Sequence, residues 1–192
     1  VEEGKNDIRT LSYTFTLADR TGLTIPDGSV KVDLGFYIEK KQSEFYFADF
    51  TVYETDDKTK TNLLIYPDDS RGLYGWHSDY YTAGDSSLEF ETSAYTAELL
   101  DYDESLFEIV KMGPKMIHVT ATGENTKVFE KTANLEKGKT YTVSFKYKIV
   151  SGEFNNAFFF AIHKAQHVVD SSATDKGKLY FDGRKSEEFV SI

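Results

Sequence analysis

The chain has 192 residues, enough to bury the core of one ordinary sandwich-sized domain and short for two. Its 40 % hydrophobic share, with 15 % aromatic residues, excludes a disordered chain, and no apolar run reaches the length of a bilayer-spanning helix. A formal charge of −10 repels phosphate backbones and anionic lipid, which disfavours nucleic acid and membrane insertion, and the lack of cysteine excludes disulfide frameworks, thiolate metal sites and cysteine nucleophiles.

Val1 to Thr10 is polar and charged, so an export signal is expected to have been removed or to lie outside this sequence. Tyr13-Phe15-Leu17 then alternates with polar residues as a half-buried strand does, and Pro26-Asp27-Gly28 marks a turn. Val30, Val32, Leu34, Phe36 and Ile38 repeat the period of two over a longer strand, and Phe45 to Glu54 reads as a third. The polar stretch Thr55 to Thr61 interrupts the pattern and marks the internal boundary suggested by composition. Beyond it, Tyr74, Trp76, His77, Tyr80 and Tyr81 fall in a segment rich in Gly, Ser and Asp. Ala97 to Met112 carries the best helical stripe, with Leu99, Leu100, Leu106, Phe107 and Val110 ended by Gly113-Pro114, although an inserted loop accounts for it equally well. Ile117-Val119-Ala121 and Phe129-Lys131-Ala133 are further strands. After the turn Glu136-Lys137-Gly138 the alternation is strongest, in Tyr141, Val143, Phe145, Tyr147 and Ile149, whose other face carries Thr142, Ser144, Lys146 and Lys148. Phe158-Phe160-Ile162 follows, and Asp182-Gly183 is a last turn signal. Many short strands between turn formers predict an all-β protein, a β-sandwich of two antiparallel sheets.

Two groups of residues resemble a known family. Asn62-Leu63-Leu64, Pro67-Asp68-Asp69 and Gly75-Trp76 are similar to the N-L-L, G-D-F, G-W opening of carbohydrate-binding modules of the CBM4/9-like jelly-roll group. Leu135-Glu136-Lys137-Gly138-Lys139-Thr140-Tyr141-Thr142-Val143-Ser144-Phe145 resembles the family's L-x-x-G-K-x-Y-x-x-S-F turn and central strand, the more specific match. Residues 62 to 165 thus look like the first two thirds of such a module; Gly is missing before Asp69, and Ser70 stands where the family has Phe. Residues 1 to 54 resemble its closing strands, Phe45 to Glu54 matching the terminal F-x-I-D-D-V-x-V run with Ala48 in place of one Asp. The order is inverted relative to the family. A circular permutation joined through residues 55–61 accounts for it within one β-sandwich spanning 1–192. Two partial tandem modules split near 55–61, or a subunit completed by a neighbour's strand, would give the same order.

The resemblance implies a β-sandwich jelly roll that binds a polysaccharide or glycan without catalysis, outside the cell or on a bacterial cell surface, with neighbouring domains or a homo-oligomer as further partners. Sugars stack on exposed aromatic faces and hydrogen-bond to polar side chains, which singles out Tyr74, Trp76, His77 and Tyr80. Trp76 has a second reading, because the Trp after Gly in the family commonly packs in the core. Strand alternation sets Phe159 and His163 on the face opposite Phe158, Phe160 and Ile162, where they would meet ligand with Lys146 or Lys148 on a neighbouring strand, unless both faces are buried. The family's structural calcium maps onto Asp49 and Asp69, with Asp68 as a substitute; each is also explained as surface charge. His163 and His167 lack a third ligand for a metal site. Carboxylate pairs such as Asp101 and Asp103, or Glu187 and Glu188, are local and explained by solvated loops, and no G-x-S-x-G, phosphate loop or zinc signature occurs, so the chain reads as a non-enzyme. The competing function is a structural or adhesive surface subunit that assembles by strand exchange.

Overall fold

The computed structural model describes residues 9–19, 24–78, 81–101 and 115–152, together with the backbone pairing of residues 158–164, 179–181 and 189–191. Every regular element among them is a strand: β1 (Arg9–Thr16), β2 (Ser29–Ile38), β3 (Gln42–Glu54), β4 (His77–Ser78), β5 (Tyr81–Thr82), β6 (Glu89–Glu91), β7 (Tyr95–Asp101), β8 (Lys115–Thr122), β9 (Lys127–Glu136), β10 (Thr140–Ser151), β11 (Phe158–Lys164), β12 (Leu179–Phe181) and β13 (Phe189–Ser191). The protein is a β-sandwich of two antiparallel sheets. A six-stranded sheet has the order β1-β10-β3-β8-β7-β6, and a seven-stranded sheet the order β13-β12-β11-β2-β9-β4-β5. Followed from β8 to β12 and then from β1 to β3, the sequences β8-β3-β10-β1 and β9-β2-β11-β12 are the two interleaved sheets of an eight-stranded jelly roll. No helix among the described residues is long and apolar enough to cross a membrane.

The strands before and after the polar break share both sheets. β3 lies between β10 and β8, and β2 lies between β9 and β11, so each finds hydrogen-bonding partners on both edges within the one chain. The break itself is a folded turn and not a linker. The Asp57 carboxylate accepts hydrogen bonds from the Thr59 amide at 2.9 Å, the Thr59 hydroxyl at 2.7 Å and the Thr61 amide at 2.9 Å. Asn62 Oδ1 accepts from the amides of Val52 and Leu64, both at 3.2 Å, which sends the chain back along β3. The start of the candidate helical stripe is strand: Ala97 to Asp101 belongs to β7, where Ala97 and Leu99 face the core and Glu98 and Leu100 alternate with them, while residues 102–112 lie outside the described ones. Three-residue spacing in so short an apolar run does not distinguish helix from strand, and pairing with β8 decides it.

Between the sheets runs a seam of aromatic rings. Phe36 of β2 meets Phe47 at 4.7 Å, Phe145 at 5.2 Å and Phe45 at 5.5 Å between centroids, which ties β3 and β10 of the opposite sheet to it. Trp76 stacks on Phe129 of β9 at 4.3 Å and meets Phe47 and Phe50 edge-on or tilted at 5.4 Å. Opposite Phe145 the register of β3 slips, and Asp49 takes a φ of 54° in the extra residue, a bulge conformation that Asp tolerates. Within the seven-stranded sheet, β2 and β9 also crowd one another: a Cβ built on Gly35 would lie 2.2 Å from the Phe129 carbonyl oxygen and 2.5 Å from Glu130 Cα. We therefore expect Gly35→Ala to cost about 3 kcal/mol or more, because backbone must move. At Gly138, where φ is +86° but nothing stands within 4 Å, the same change is expected to cost about 1 kcal/mol from backbone strain alone. Urea denaturation of the two variants checks both values, and equal losses would contradict the difference in crowding.

Candidate functional site

In β2 the alternation sends Val30, Val32, Leu34, Phe36 and Ile38 into the core and leaves Asp33, Gly35 and Tyr37 on the opposite face. The register with β9 places Thr132 against Asp33 and Glu130 against Gly35, and β4 brings His77 beside Glu130. Three strands remote in sequence thus converge on one polar cluster. The Thr132 hydroxyl donates to Asp33 Oδ1 at 2.6 Å. His77 Nε2 lies 3.4 Å from Asp33 Oδ1, and His77 Nδ1 lies 3.8 Å from Glu130 Oε1. Asp33 and Glu130 are buried, whereas the His77 side chain is 18 % exposed and is the open side of the group.

A second arrangement stands on the loop between β3 and β4. Tyr66 sits at a φ of 60° and is 41 % exposed, with its ring 4.6 Å from the ring of Tyr74. The Arg71 guanidinium lies 3.8 Å from the Tyr74 centroid and 5.3 Å from that of Tyr66, and its Nε donates to Asp85 at 2.7 Å. Hydrogen bonding to Tyr74 pushes the Tyr66 phenol pKa up, and the Asp85 hydrogen bond raises that of Arg71. The loop is held against the following turn by Leu73 N–H donating to the Ser87 carbonyl at 2.7 Å, with the Leu73 side chain buried in the core. Beneath it, Lys131 projects from the core face of β9: its ammonium donates to the Tyr66 carbonyl at 2.8 Å and lies 5.3 Å from the Trp76 ring centroid. Burial lowers the Lys131 pKa, against the opposing charges of Asp69 and Asp68, and burial likewise raises that of Asp69.

The structure brings together some of the residues singled out in the sequence and separates others. Tyr74 joins the exposed loop cluster, and His77 joins the sheet-face cluster. Trp76 is 1 % exposed and stacked on Phe129, so it packs the core and is not available to a ligand. Tyr80 lies outside the described residues. For Phe159 and His163 the backbone register is described, opposite Tyr37 and Asp33 respectively. Lys146 and Lys148 are not their neighbours: β10 belongs to the six-stranded sheet and β11 to the other, because consecutive strands of a jelly roll cross between sheets. Of the carboxylates matched to calcium, Asp49 accepts the Lys146 ammonium at 2.6 Å, while Asp69 is half-buried within the field of Lys131. Asp68 caps a turn by accepting from the Ser70 amide at 3.0 Å.

Asp33, Glu130, Thr132, Tyr66, Arg71 and Lys131 were not legible as members of these clusters, since each looks in sequence like an ordinary strand or loop position. On the outer face of the six-stranded sheet another such group occurs, where His118 stacks on Tyr46 at 4.4 Å and its Nε2 lies 2.8 Å from Glu44 Oε1. Compared with models of protein families, with curated proteins and with solved structures, the chain matches none.

The depressed Lys131 pKa has a measurable sign. Between that value and the ordinary 10.5 of the unfolded chain, the unfolded state binds the extra proton, so stability rises with pH through this window. Relative to Lys131→Met, the native protein is therefore expected to gain stability as pH climbs towards 10.5, the difference being read from paired urea titrations. Parallel pH profiles would show that the ammonium is not held at a cost.

Proposed function

We propose that the protein is a non-catalytic glycan-binding β-sandwich module whose contact surface is the loop cluster of Tyr66, Arg71 and Tyr74. The observation that carries this reading is an exposed tyrosine ring flanked by a second tyrosine and by a guanidinium that a carboxylate holds. A pyranose ring presents C–H groups that stack on such a ring and hydroxyls that need charged or amide partners within reach. Tyr66 supplies the face. Arg71 stands beside it with its Nε held by Asp85, and Asp68 follows two residues later in the loop, held by the Ser70 amide. Anchoring through Lys131 and Leu73 limits the ordering cost on binding, since the loop is already held by the core. The net charge of −10 is compatible with a neutral or cationic glycan, and the family resemblance of residues 135–145 agrees with this class of ligand and with an extracellular setting.

Interleaving of β2 and β3 with later strands supports a self-contained module over strand exchange between chains.

A glycan-array screen on protein whose solution mass has been measured by light scattering tests the reading. We expect a monomer that binds a defined glycan, and Tyr66→Ala is expected to weaken that binding by about 10-fold or more, equivalent to about 1.4 kcal/mol, with little change in melting temperature. A negative screen from an oligomer would favour the structural subunit, and binding unaffected by Tyr66→Ala would move the contact surface elsewhere.

A further inference from the structure

We propose that Asp33, His77 and Glu130 form a binding site for one first-row divalent cation of the zinc class. One carboxylate oxygen from each acid and one imidazole nitrogen lie within 4.8 Å of one another, on β2, β9 and β4. One of their separations has the length a shared ion requires. The 3.4 Å from His77 Nε2 to Asp33 Oδ1 exceeds the roughly 2.7–3.2 Å of a good N–H···O bond. It matches the edge of a tetrahedron, about 3.3 Å, set by metal–ligand bonds of about 2.0–2.1 Å. Glu130 Oε1 lies 3.8 Å from the other ring nitrogen, Nδ1, so its side chain must turn towards Nε2 to share the ion with Asp33.

The surroundings agree with this assignment. Thr132 donates to Asp33 at 2.6 Å and fixes the rotation of that carboxylate. Gly35 lacks the Cβ that would collide with Glu130 Cβ at 2.6 Å, so the strands approach closely enough for the Glu130 stem to sit beside β2. A dication held between the two buried carboxylates is attracted by both. The donor set selects the ion. Calcium requires six to eight oxygen ligands, whereas a nitrogen and two carboxylates suit a borderline ion with four positions, leaving one for water or a ligand oxygen. This site is separate from the Tyr66 cluster, and its test does not depend on glycan binding.

The experiment is calorimetric titration of the chelator-treated full chain with zinc chloride, repeated with calcium chloride and with Asp33→Asn, His77→Ala, Glu130→Gln and His118→Ala. We expect one zinc per chain with micromolar or tighter affinity, weakened about 100-fold or more by His77→Ala, and no comparable calcium binding. His118→Ala, which removes an imidazole set between Glu44 and Glu98 on the opposite sheet, is expected to leave the titration unchanged. Asp33→Asn and Glu130→Gln preserve shape and keep the test open if His77→Ala is misfolded by circular dichroism. Absence of zinc binding by the native chain, or affinity unchanged in the three site variants, would overturn the assignment.

Discussion

The contact of Phe36 with Phe47 and Phe145 joins the two sheets, and most of the molecule is arranged so that it can form. Phe36 lies on β2 and Phe47 on β3, strands that follow one another in the chain yet belong to opposite sheets. Each is inserted between two strands from the later part of the sequence, so the aromatic seam cannot close until both parts of the chain are in place. Buried rings of this size dominate the energetics of a sandwich core, and their tilted and edge-on contacts add to what area alone supplies. Neither part of the chain buries these rings by itself.

The same seam positions the two clusters. Trp76 stacks on Phe129, which fixes the end of the loop carrying Tyr66, Arg71 and Tyr74 and the start of the strand carrying His77. Phe129 also precedes Glu130, so the ring that faces inward sets the register of the carboxylate that faces outward. A shift of one residue in β9 would exchange their faces, moving Phe129 to the surface and Glu130 into the core. Packing inside and chemistry outside are therefore a single constraint on this strand.

Lys131 is the exception to that alternation. Its position on β9 demands an apolar side chain, and it instead carries an ammonium across the core face to the Tyr66 carbonyl, with the indole of Trp76 beside it. The stem is covered and the charge is offset by a carbonyl, a ring face and the field of Asp69 and Asp68. A residue that costs burial energy in this way links the rigid interior to the exposed loop.

The sequence by itself determined strands β1 to β3 and β8 to β11. The period of two in Val30 to Ile38, Phe45 to Glu54 and Tyr141 to Ile149 comes from which side chains can face a core, a local property, and so the all-β sandwich was legible in advance. His77 and Tyr74 were legible as candidates because they stand in a polar, aromatic loop segment. The tertiary structure alone decided their partners. Asp33, Glu130 and Thr132 meet His77 through the antiparallel register of β2 with β9 and of β4 with β9, and Arg71 meets Tyr74 through a loop closed on Asp85. It also sent Trp76 inward and turned Ala97 to Asp101 into strand. Pairing between distant strands has no signature in either strand separately, because what it satisfies is the hydrogen-bonding edge and the buried face of its neighbour.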